Sequence, residues 1–297
     1  MHRRRFLARA ASVAAITPLA PLVAAAADDD GLIDTNVYLS HWASRRSWAG
    51  TPGLLVEKLR RHGVVSAWTG SFDGVLHSDL GSANARLAEA CARDGGGVLQ
   101  PFGTVNLTLP DWEEDVRRCH EIHRMAGLRL FPNYHGYALD DPRFARLVEL
   151  ATKRGLLLQI ALALEDDRSQ NPVLQMPPVA AAPLADVVGK FPQARVMLLN
   201  SGSRVLAGNN ALLSRLVAAG NALFEIATLE GVAGIETLLK AVPGIRLAFG
   251  SYAPFFYFEA ALLKLQESAL SPGQLAAIRS GHARAALAAA GPVKNAP

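Results

Sequence analysis

Acidic, basic and imidazole side chains follow several apolar segments of this sequence. Glu165, Asp166, Asp167 and Arg168 come directly after a mostly apolar run, and His41 and His135 follow two other such runs. A carboxylate and a histidine at hydrogen-bond distance can transfer protons as general base and general acid. An arginine can bind a carboxylate or phosphate through two parallel hydrogen bonds. These residue types predict acid–base chemistry on a small, carboxylated compound, although each also fits a solvated loop.

The elements that must position these groups are short apolar runs, each followed by a longer segment of helical periodicity. The predicted strands are Leu32–Leu39, Val64–Thr69, Val98–Val105, Gly127–Phe131, Leu156–Leu164, Arg195–Leu199, Ala222–Ala227 and Ile245–Gly250. Eight strand–helix units within residues 28–297 predict an α/β fold, a single-domain (β/α)8 TIM barrel. The alternative is a doubly wound open sheet, which usually has fewer strands and a glycine-rich loop after the first one. The segment Leu39–Trp42 has no such loop.

The segment after Asp111 has apolar residues at helical spacing, which predicts a helix capped by Asp111 with one face toward the core. The expected core-facing residues are Trp112, Val116, Cys119 and Ile122. The two cysteines, Cys91 and Cys119, both lie in helix-like segments. This placement excludes a disulfide scaffold, and we expect no single bridge.

The carboxyl-terminal ends of the strands carry the chemistry in such barrels. Asp34, Asn36 and Tyr38 share one face of the first strand because strand side chains alternate with a period of two. The predicted catalytic residues at the strand ends are His41, His135, Glu165, Asp166, Asp167 and Tyr252. The predicted substrate-binding residues are Asn36, Tyr38, Trp68, Arg129, Arg168 and Asn200.

Four segments in this order carry a resemblance to a known family. They are Ile33–Tyr38 on the first strand, Gly127–Pro132 on the fourth, Asn200–Gly202 after the sixth and Gly250–Pro254 after the eighth. The chain resembles the amidohydrolase-related family of metal-dependent TIM-barrel hydrolases and decarboxylases over nearly all of residues 28–297. The resemblance implies a small-molecule substrate and an active site at the carboxyl-terminal end of the barrel.

The positions that bind metal in that family carry other residues here. Asn36 and Tyr38 stand where the resemblance implies two histidines, Asn200 stands at a third histidine, and Tyr252 stands at the catalytic aspartate. The fifth strand contains no histidine. Zinc requires several imidazole, thiolate or carboxylate ligands, and amides and phenols are poor substitutes. The sequence therefore predicts no metal ligands at these positions and no cofactor.

Three functions remain open at this point. The first is an exported hydrolase or decarboxylase that has lost the metal site, and the ionisable and aromatic groups at the strand ends favour it. The second is a noncatalytic barrel that binds a small ligand through the amides and phenols. The third keeps calcium, magnesium or manganese in an unusual carboxylate site of Glu165, Asp166 and Asp167, with His41 or His135.

Residues 1–27 resemble an export signal. Arg3, Arg4 and Arg5 fit a twin-arginine pattern, an apolar run follows, and residues 25–27 are alanines suited to cleavage. An ordinary secretory signal and a retained anchor are the alternatives, but the apolar run is short and contains two prolines. The pattern predicts a periplasmic or extracellular protein without a stable membrane anchor.

The charge balance excludes a polybasic binding surface. Four arginines among residues 1–27 account for the whole basic excess, because the remaining chain has 26 basic and 26 acidic residues. We therefore expect a small-molecule partner and no nucleic acid. The oligomeric state stays open.

Overall fold

Parallel strands alternate with helices along the whole described chain. The computed structural model describes residues 31–288, except Gly50, Asp167, Ser169, residues 203–208 and Asn221. The predicted export signal and the predicted catalytic residue Asp167 thus lie outside the described residues. The strands are β1 Leu32–Leu39, β2 Val64–Ser71, β3 Leu99–Gly103, β4 Gly127–Leu130, β5 Leu157–Ala161, β6 Arg195–Leu199, β7 Ala222–Glu225 and β8 Leu247–Ala248.

The eight strands form one parallel sheet in the order of the sequence, from β1 to β8. The last strand returns to the first, since the backbone N–H of Thr35 donates to the carbonyl of Phe249 at 2.9 Å. The N–H of Tyr38 likewise donates to the carbonyl of Ala253 at 2.8 Å. These bonds bring the sheet edges together in a nearly closed barrel, and the predicted single-domain TIM-barrel fold is confirmed.

The helices pack around the barrel. They are α1 Pro52–Arg61, α2 Asp73–Leu76, α3 Leu80–Asp94, α4 Trp112–Arg117, α5 Pro142–Lys153, α6 Leu184–Gly189, α7 Asn210–Ala218, α8 Gly234–Ala241, α9 Phe258–Gln266, α10 Pro272–Ala276 and α11 His282–Ala288. Two π-helical turns, Arg118–Ile122 and Ala277–Gly281, extend α4 and α10. Across the described residues, no helix is both long and apolar enough to cross a bilayer.

Side chains at helical spacing face the barrel as the sequence pattern predicts, with one exception. Trp112, Val116 and Cys119 are buried, but Ile122 is 57% exposed. The reason is the π-helical turn, whose wider winding shifts the end of the segment off the core-facing stripe. Cys91 and Cys119 are buried free thiols, as expected.

The core has two layers. One fills the space between strands and helices, and the other lies inside the barrel. The inner layer contains several aromatic side chains from the strand ends, namely Tyr38, Trp42, Trp68, Phe72, Phe102, Phe131 and Tyr252. This inner layer determines which polar groups can reach a ligand.

Candidate functional site

Two asparagines link the first, fifth and sixth strands inside the barrel. The Nδ2 of Asn36 donates to the Oδ1 of Asn200 at 2.9 Å, and the Nδ2 of Asn200 donates to the carbonyl of Ala163 at 2.7 Å. Both side chains are buried. Asn200 has a φ of 52°, a left-handed conformation that asparagine tolerates better than most residues. Both amide nitrogens and the Oδ1 of Asn200 are therefore engaged with the protein itself, whereas the Oδ1 of Asn36 has no hydrogen-bond partner among the described residues.

An aromatic cluster fills the carboxyl-terminal end of the barrel. Tyr38 stacks on Phe72 with ring centroids 4.4 Å apart, and Tyr252 stacks on Phe255 at 4.9 Å. The two tyrosine rings meet edge to face at 5.4 Å. The hydroxyl of Tyr252 donates to the carbonyl of Leu164 at 2.8 Å. Burial raises the pKa of Tyr38 to about 12 and also raises the pKa of Tyr252, so both remain neutral phenols near neutral pH.

Arg129 is fully buried within the barrel wall. Its guanidinium donates to Gln159 Oε1 at 2.8 Å, and to the carbonyls of Val37 at 2.7 Å and Trp68 at 2.9 Å. It also lies 4.4 Å from the centre of the Tyr38 ring. Since these donors are satisfied by neighbouring strands, the structure favours a bracing role for Arg129 over the predicted contact with substrate.

Two buried carboxyl groups hold the strand ends. Asp34 accepts from the backbone N–H of Ser251 at 3.0 Å and from its hydroxyl at 2.5 Å. Glu225 accepts from the N–H groups of Asn200 and Ala227, each at 2.5 Å. Burial raises the pKa of Asp34 to about 6 and that of Glu225 to about 7. Gly250 leaves room for Glu225, because a Cβ there would lie 2.6 Å from its Oε2.

The residues at the family's metal positions do not fit a metal. The Oδ1 of Asn200 already accepts from Asn36, and the Tyr252 hydroxyl donates to a carbonyl. Tyr38 stacks within the aromatic cluster, and its hydroxyl and the Oδ1 of Asn36 are buried without a hydrogen-bond partner among the residues that the structure describes. A neutral phenol and one amide oxygen do not supply the several imidazole, thiolate or carboxylate ligands that zinc requires. In the described part of the chain, no three His, Cys, Asp or Glu side chains come together in a way that could hold an ion.

A cavity of about 620 Å3 lies beside this centre, at the ends of β5, β6 and β7 and against α9. Its apolar lining includes Leu164, Leu229 and Phe256. Its polar and charged lining residues are Glu165, Asp166, Gln170, Asn200, Thr228, Glu230, Lys264 and Glu267. Three of them, Glu165, Asp166 and Asn200, are residues that the sequence predicts for the site.

Glu165 and Lys264 are the lining groups best suited to proton transfer. Glu165 is buried, and its Oε2 has no hydrogen-bond partner. The Nζ of Lys264 donates to the carbonyl of Ile226 at 3.2 Å and to that of Ala227. Burial lowers the pKa of Lys264. A carboxylate and an ammonium in one cavity can accept and donate protons.

The sequence did not identify Lys264. It lies in an ordinary amphipathic helix after the eighth strand, and nothing in its neighbourhood distinguishes it from a surface lysine. Only the packing of this helix against the end of β7 brings the ammonium to the cavity. Glu267, at the end of the same helix, was missed for the same reason. Thr228 and Glu230 lie after β7 and were not among the predicted site residues.

Other predicted site residues lie elsewhere. His41 is exposed on the loop after β1. His135 is buried, with its Nε2 3.0 Å from the carbonyl of Gly74, and burial lowers its pKa. Trp68 stacks on Phe102 inside the barrel at 5.2 Å. Arg168 pairs with Asp166 at 2.5 Å at the edge of the cavity. Among the described residues, neither predicted histidine is therefore seen in contact with Glu165 or Asp166.

The amidohydrolase family model matches residues 60–288 of this chain. The chain belongs to the amidohydrolase family. The matched range begins within α1, so it contains Asn200 and Tyr252 but not Asn36 and Tyr38. A comparison with curated protein sequences finds no match.

Solved structures of amidohydrolase barrels share the fold at low sequence identity. A 2,6-dihydroxybenzoate decarboxylase from Rhizobium is 13% identical with a TM-score of 0.68, covering 88% of this chain and 100% of that one. A dihydroxybenzoic acid decarboxylase from Polaromonas, with manganese and 2-nitroresorcinol bound, is 14% identical with a TM-score of 0.65, covering 87% and 97%. A zinc-bound amidohydrolase from Burkholderia multivorans is 17% identical with a TM-score of 0.62, covering 87% and 99%.

Proposed function

We propose that this protein is an exported amidohydrolase-family enzyme that hydrolyses or decarboxylates a small carboxylated compound without the metal of its relatives. The observation that carries the proposal is the cavity at the ends of β5 to β7. It combines Glu165 and Lys264 with an apolar lining, at the end of the barrel where active sites of this fold lie.

The substrate class follows from the size and the charges of the cavity. About 620 Å3 accommodates a small organic molecule, and Phe256 provides an aromatic wall. The related decarboxylases act on carboxylated aromatic rings, which fit such a lining. Lys264 supplies a cation for the substrate carboxylate, in place of the arginine contact that the sequence suggested.

The chemistry we propose uses proton transfer alone. In hydrolysis, Glu165 accepts a proton from the attacking water, and Lys264 donates one to the leaving group. In decarboxylation, the substrate carboxylate leaves as carbon dioxide, the electrons of the broken C–C bond stay on the substrate carbon, and Lys264 donates a proton to that carbon. The metal-free part of this proposal rests on the engagement of Asn36, Asn200 and Tyr252 with other protein groups. A carboxylate-bound divalent ion is the alternative that elemental analysis addresses.

The test combines elemental analysis with turnover. Protein purified without chelator or affinity metal is analysed by ICP-MS, then incubated with aromatic carboxylates, amides and lactones and followed by mass spectrometry. We expect turnover that persists in EDTA and is lost in Glu165→Gln and Lys264→Met. The control Glu89→Gln, at an exposed position on α3, retains it. Activity that requires stoichiometric zinc or manganese and survives Glu165→Gln would contradict the proposal.

Export is the second part of the proposal, and it is supported by the pattern at residues 3–7. Replacing Arg4 and Arg5 by lysines retains charge but removes the arginine pair. We expect the natural chain in the periplasm of a twin-arginine-competent host and the double variant in the cytoplasm. Equal periplasmic amounts of both would point to the ordinary secretory route.

A noncatalytic binding barrel is the second candidate, favoured by the bond between Asn36 and Asn200 and by the aromatic cluster at the barrel end. Both features occupy the centre where relatives bind metal. In this case, ligands bound in the cavity are recovered unchanged after prolonged incubation. Any product formed by the protein but not by Glu165→Gln excludes this candidate.

A further inference from the structure

We propose that the ligand of the cavity carries a protonated amine beside its carboxylate, and that the Oε2 of Glu165 binds this amine while the other carboxylate oxygen remains available for proton transfer. The inference rests on the proposed function only in taking the cavity at the ends of β5 to β7 as the ligand site. It adds a positive group to a molecule for which the sequence suggested only a carboxylate.

Glu165 is the group that requires a partner. The residue is only 7% exposed, and its Oε2 has no hydrogen-bond partner. A buried carboxylate oxygen without a donor loses its hydration and receives nothing in exchange, which is unfavourable. Since Glu165 also lines the cavity, a ligand N–H is in position to satisfy it.

The nearby cations are already engaged. Arg168 pairs with Asp166 at 2.5 Å and with Glu230 at 3.6 Å. Lys264 gives two of its three N–H donors to backbone carbonyls at the end of β7, which leaves one for the ligand carboxylate. The lining thus contains four carboxyl side chains and a single ammonium among its described residues. This balance favours a positive ligand group over a second negative one.

Aromatic rings stand next to this carboxylate. Phe256 lines the cavity and meets the Tyr252 ring at 5.2 Å, nearly edge to face. Burial, together with the nearby charge of Glu165, raises the pKa of Tyr134 to about 12. A carboxylate beside aromatic rings is a combination that recognises organic ammonium groups.

An organic ammonium fits this position better than a metal ion. Calcium takes six to eight oxygen ligands and magnesium takes six, but the described residues include no cluster of acids and histidines able to hold an ion. An ammonium carries three N–H donors and needs only one carboxylate and carbonyl or aromatic neighbours.

The experiment compares three probes of nearly equal shape. Binding of 2-phenylethylamine, 2-phenylethanol and phenylacetate to the purified mature protein is measured by calorimetry. We expect the amine to bind about 10-fold or more tightly than the neutral 2-phenylethanol, as a charge-assisted hydrogen bond implies, whereas phenylacetate measures the contribution of Lys264. Glu165→Gln removes this preference, and Glu89→Gln retains it. If Glu165→Gln does not fold, Phe256→Leu serves instead and weakens the amine selectively.

Equal or tighter binding of 2-phenylethanol would overturn the inference, as would failure of the amine to bind or an amine affinity that Glu165→Gln leaves unchanged. Displacement of the amine by micromolar calcium or manganese would assign the position to a metal and overturn it as well. Binding is measured without turnover, so the two proposals fail separately. Amine binding without turnover contradicts only the proposed enzymatic function. Turnover of a purely anionic substrate without amine binding contradicts only the inference that the ligand carries an amine.

Discussion

The side-chain amide of Asn36 donates to the Oδ1 of Asn200, 2.9 Å away, across the interior of the barrel. The two residues are 164 positions apart in the sequence and stand where related amidohydrolases are expected to carry metal-binding histidines. At this point a neutral hydrogen bond between two amides connects the strand ends. The bond therefore contributes to holding the first and sixth strands together.

Removing this bond is expected to destabilise the fold. Asn36→Ala leaves the buried Oδ1 of Asn200 without its donor, which costs about 1–3 kcal/mol of unfolding free energy. Urea denaturation followed by circular dichroism measures the loss. Asn210→Ala, at an exposed position on α7, is the control and changes stability by less than about 0.5 kcal/mol. Equal stability of the two variants would contradict the interpretation.

Arg129 is expected to be a structural residue. Arg129→Met retains the length of the side chain but leaves the carbonyls of Val37 and Trp68 without a donor. The unfolding free energy should fall by about 3–5 kcal/mol, as for other broken buried charge networks. Arg168→Met, at an exposed position, should cost about 0–1 kcal/mol. A stable Arg129→Met protein with impaired ligand binding would instead support the contact with substrate that the sequence suggested.

Stability should depend on pH through the buried acids. The pKa values of Asp34 and Glu225 are raised from 3.8 and 4.5 to about 6 and about 7. Between about pH 4 and 7 the folded state binds more protons than the unfolded state at these two groups. Their contribution to the unfolding free energy is therefore greatest at low pH, falls through this range and levels off above about pH 7.

The variant Asp34→Asn isolates one of these groups. Its Oδ1 can still accept from the Ser251 N–H, and its Nδ2 can donate to the Ser251 hydroxyl. The stability of the natural protein relative to the variant should fall by about 2–3 kcal/mol between pH 4 and 6.5, from about 1.4 kcal/mol per pKa unit. The difference in stability between the two proteins cancels the contribution of exposed acids such as Glu114, whose pKa is lowered to about 2 by its arginine partners. A stability difference that stays constant or rises with pH would contradict the raised pKa of Asp34.

Tyr252 is expected to support the aromatic cluster without transferring protons. Tyr252→Phe loses the hydrogen bond to the carbonyl of Leu164 but retains the stacking on Phe255. It should cost about 0.5–1.5 kcal/mol of stability and leave turnover of any identified substrate nearly unchanged. A general acid would show a rate loss of about 100-fold or more on the same change. Steady-state kinetics of Tyr252→Phe, compared with those of Glu165→Gln, distinguish a supporting residue from a general acid.

The barrel itself was predictable from the sequence. Short apolar runs and the helical segments between them are local patterns, because strands such as β1, β5 and β6 are buried on both faces and each helix buries one face. The resemblance carried by segments such as Gly127–Pro132 and Gly250–Pro254 likewise predicted the family, which the match over residues 60–288 confirms. Among the site residues, Glu165, Asp166 and Asn200 were predicted from their place after strands, where the ends of parallel strands must converge.

Only the tertiary structure decided which charged groups meet. Lys264 reaches the cavity because α9 packs against the end of β7, and His135 turns away toward Gly74. Arg129 lies on a strand end as predicted, yet neighbouring carbonyls occupy its donors. The direction and the partners of a side chain depend on residues far away in sequence. A local pattern can therefore determine the strand to which a polar group belongs, whereas the packing of distant strands and helices determines whether that group faces a ligand.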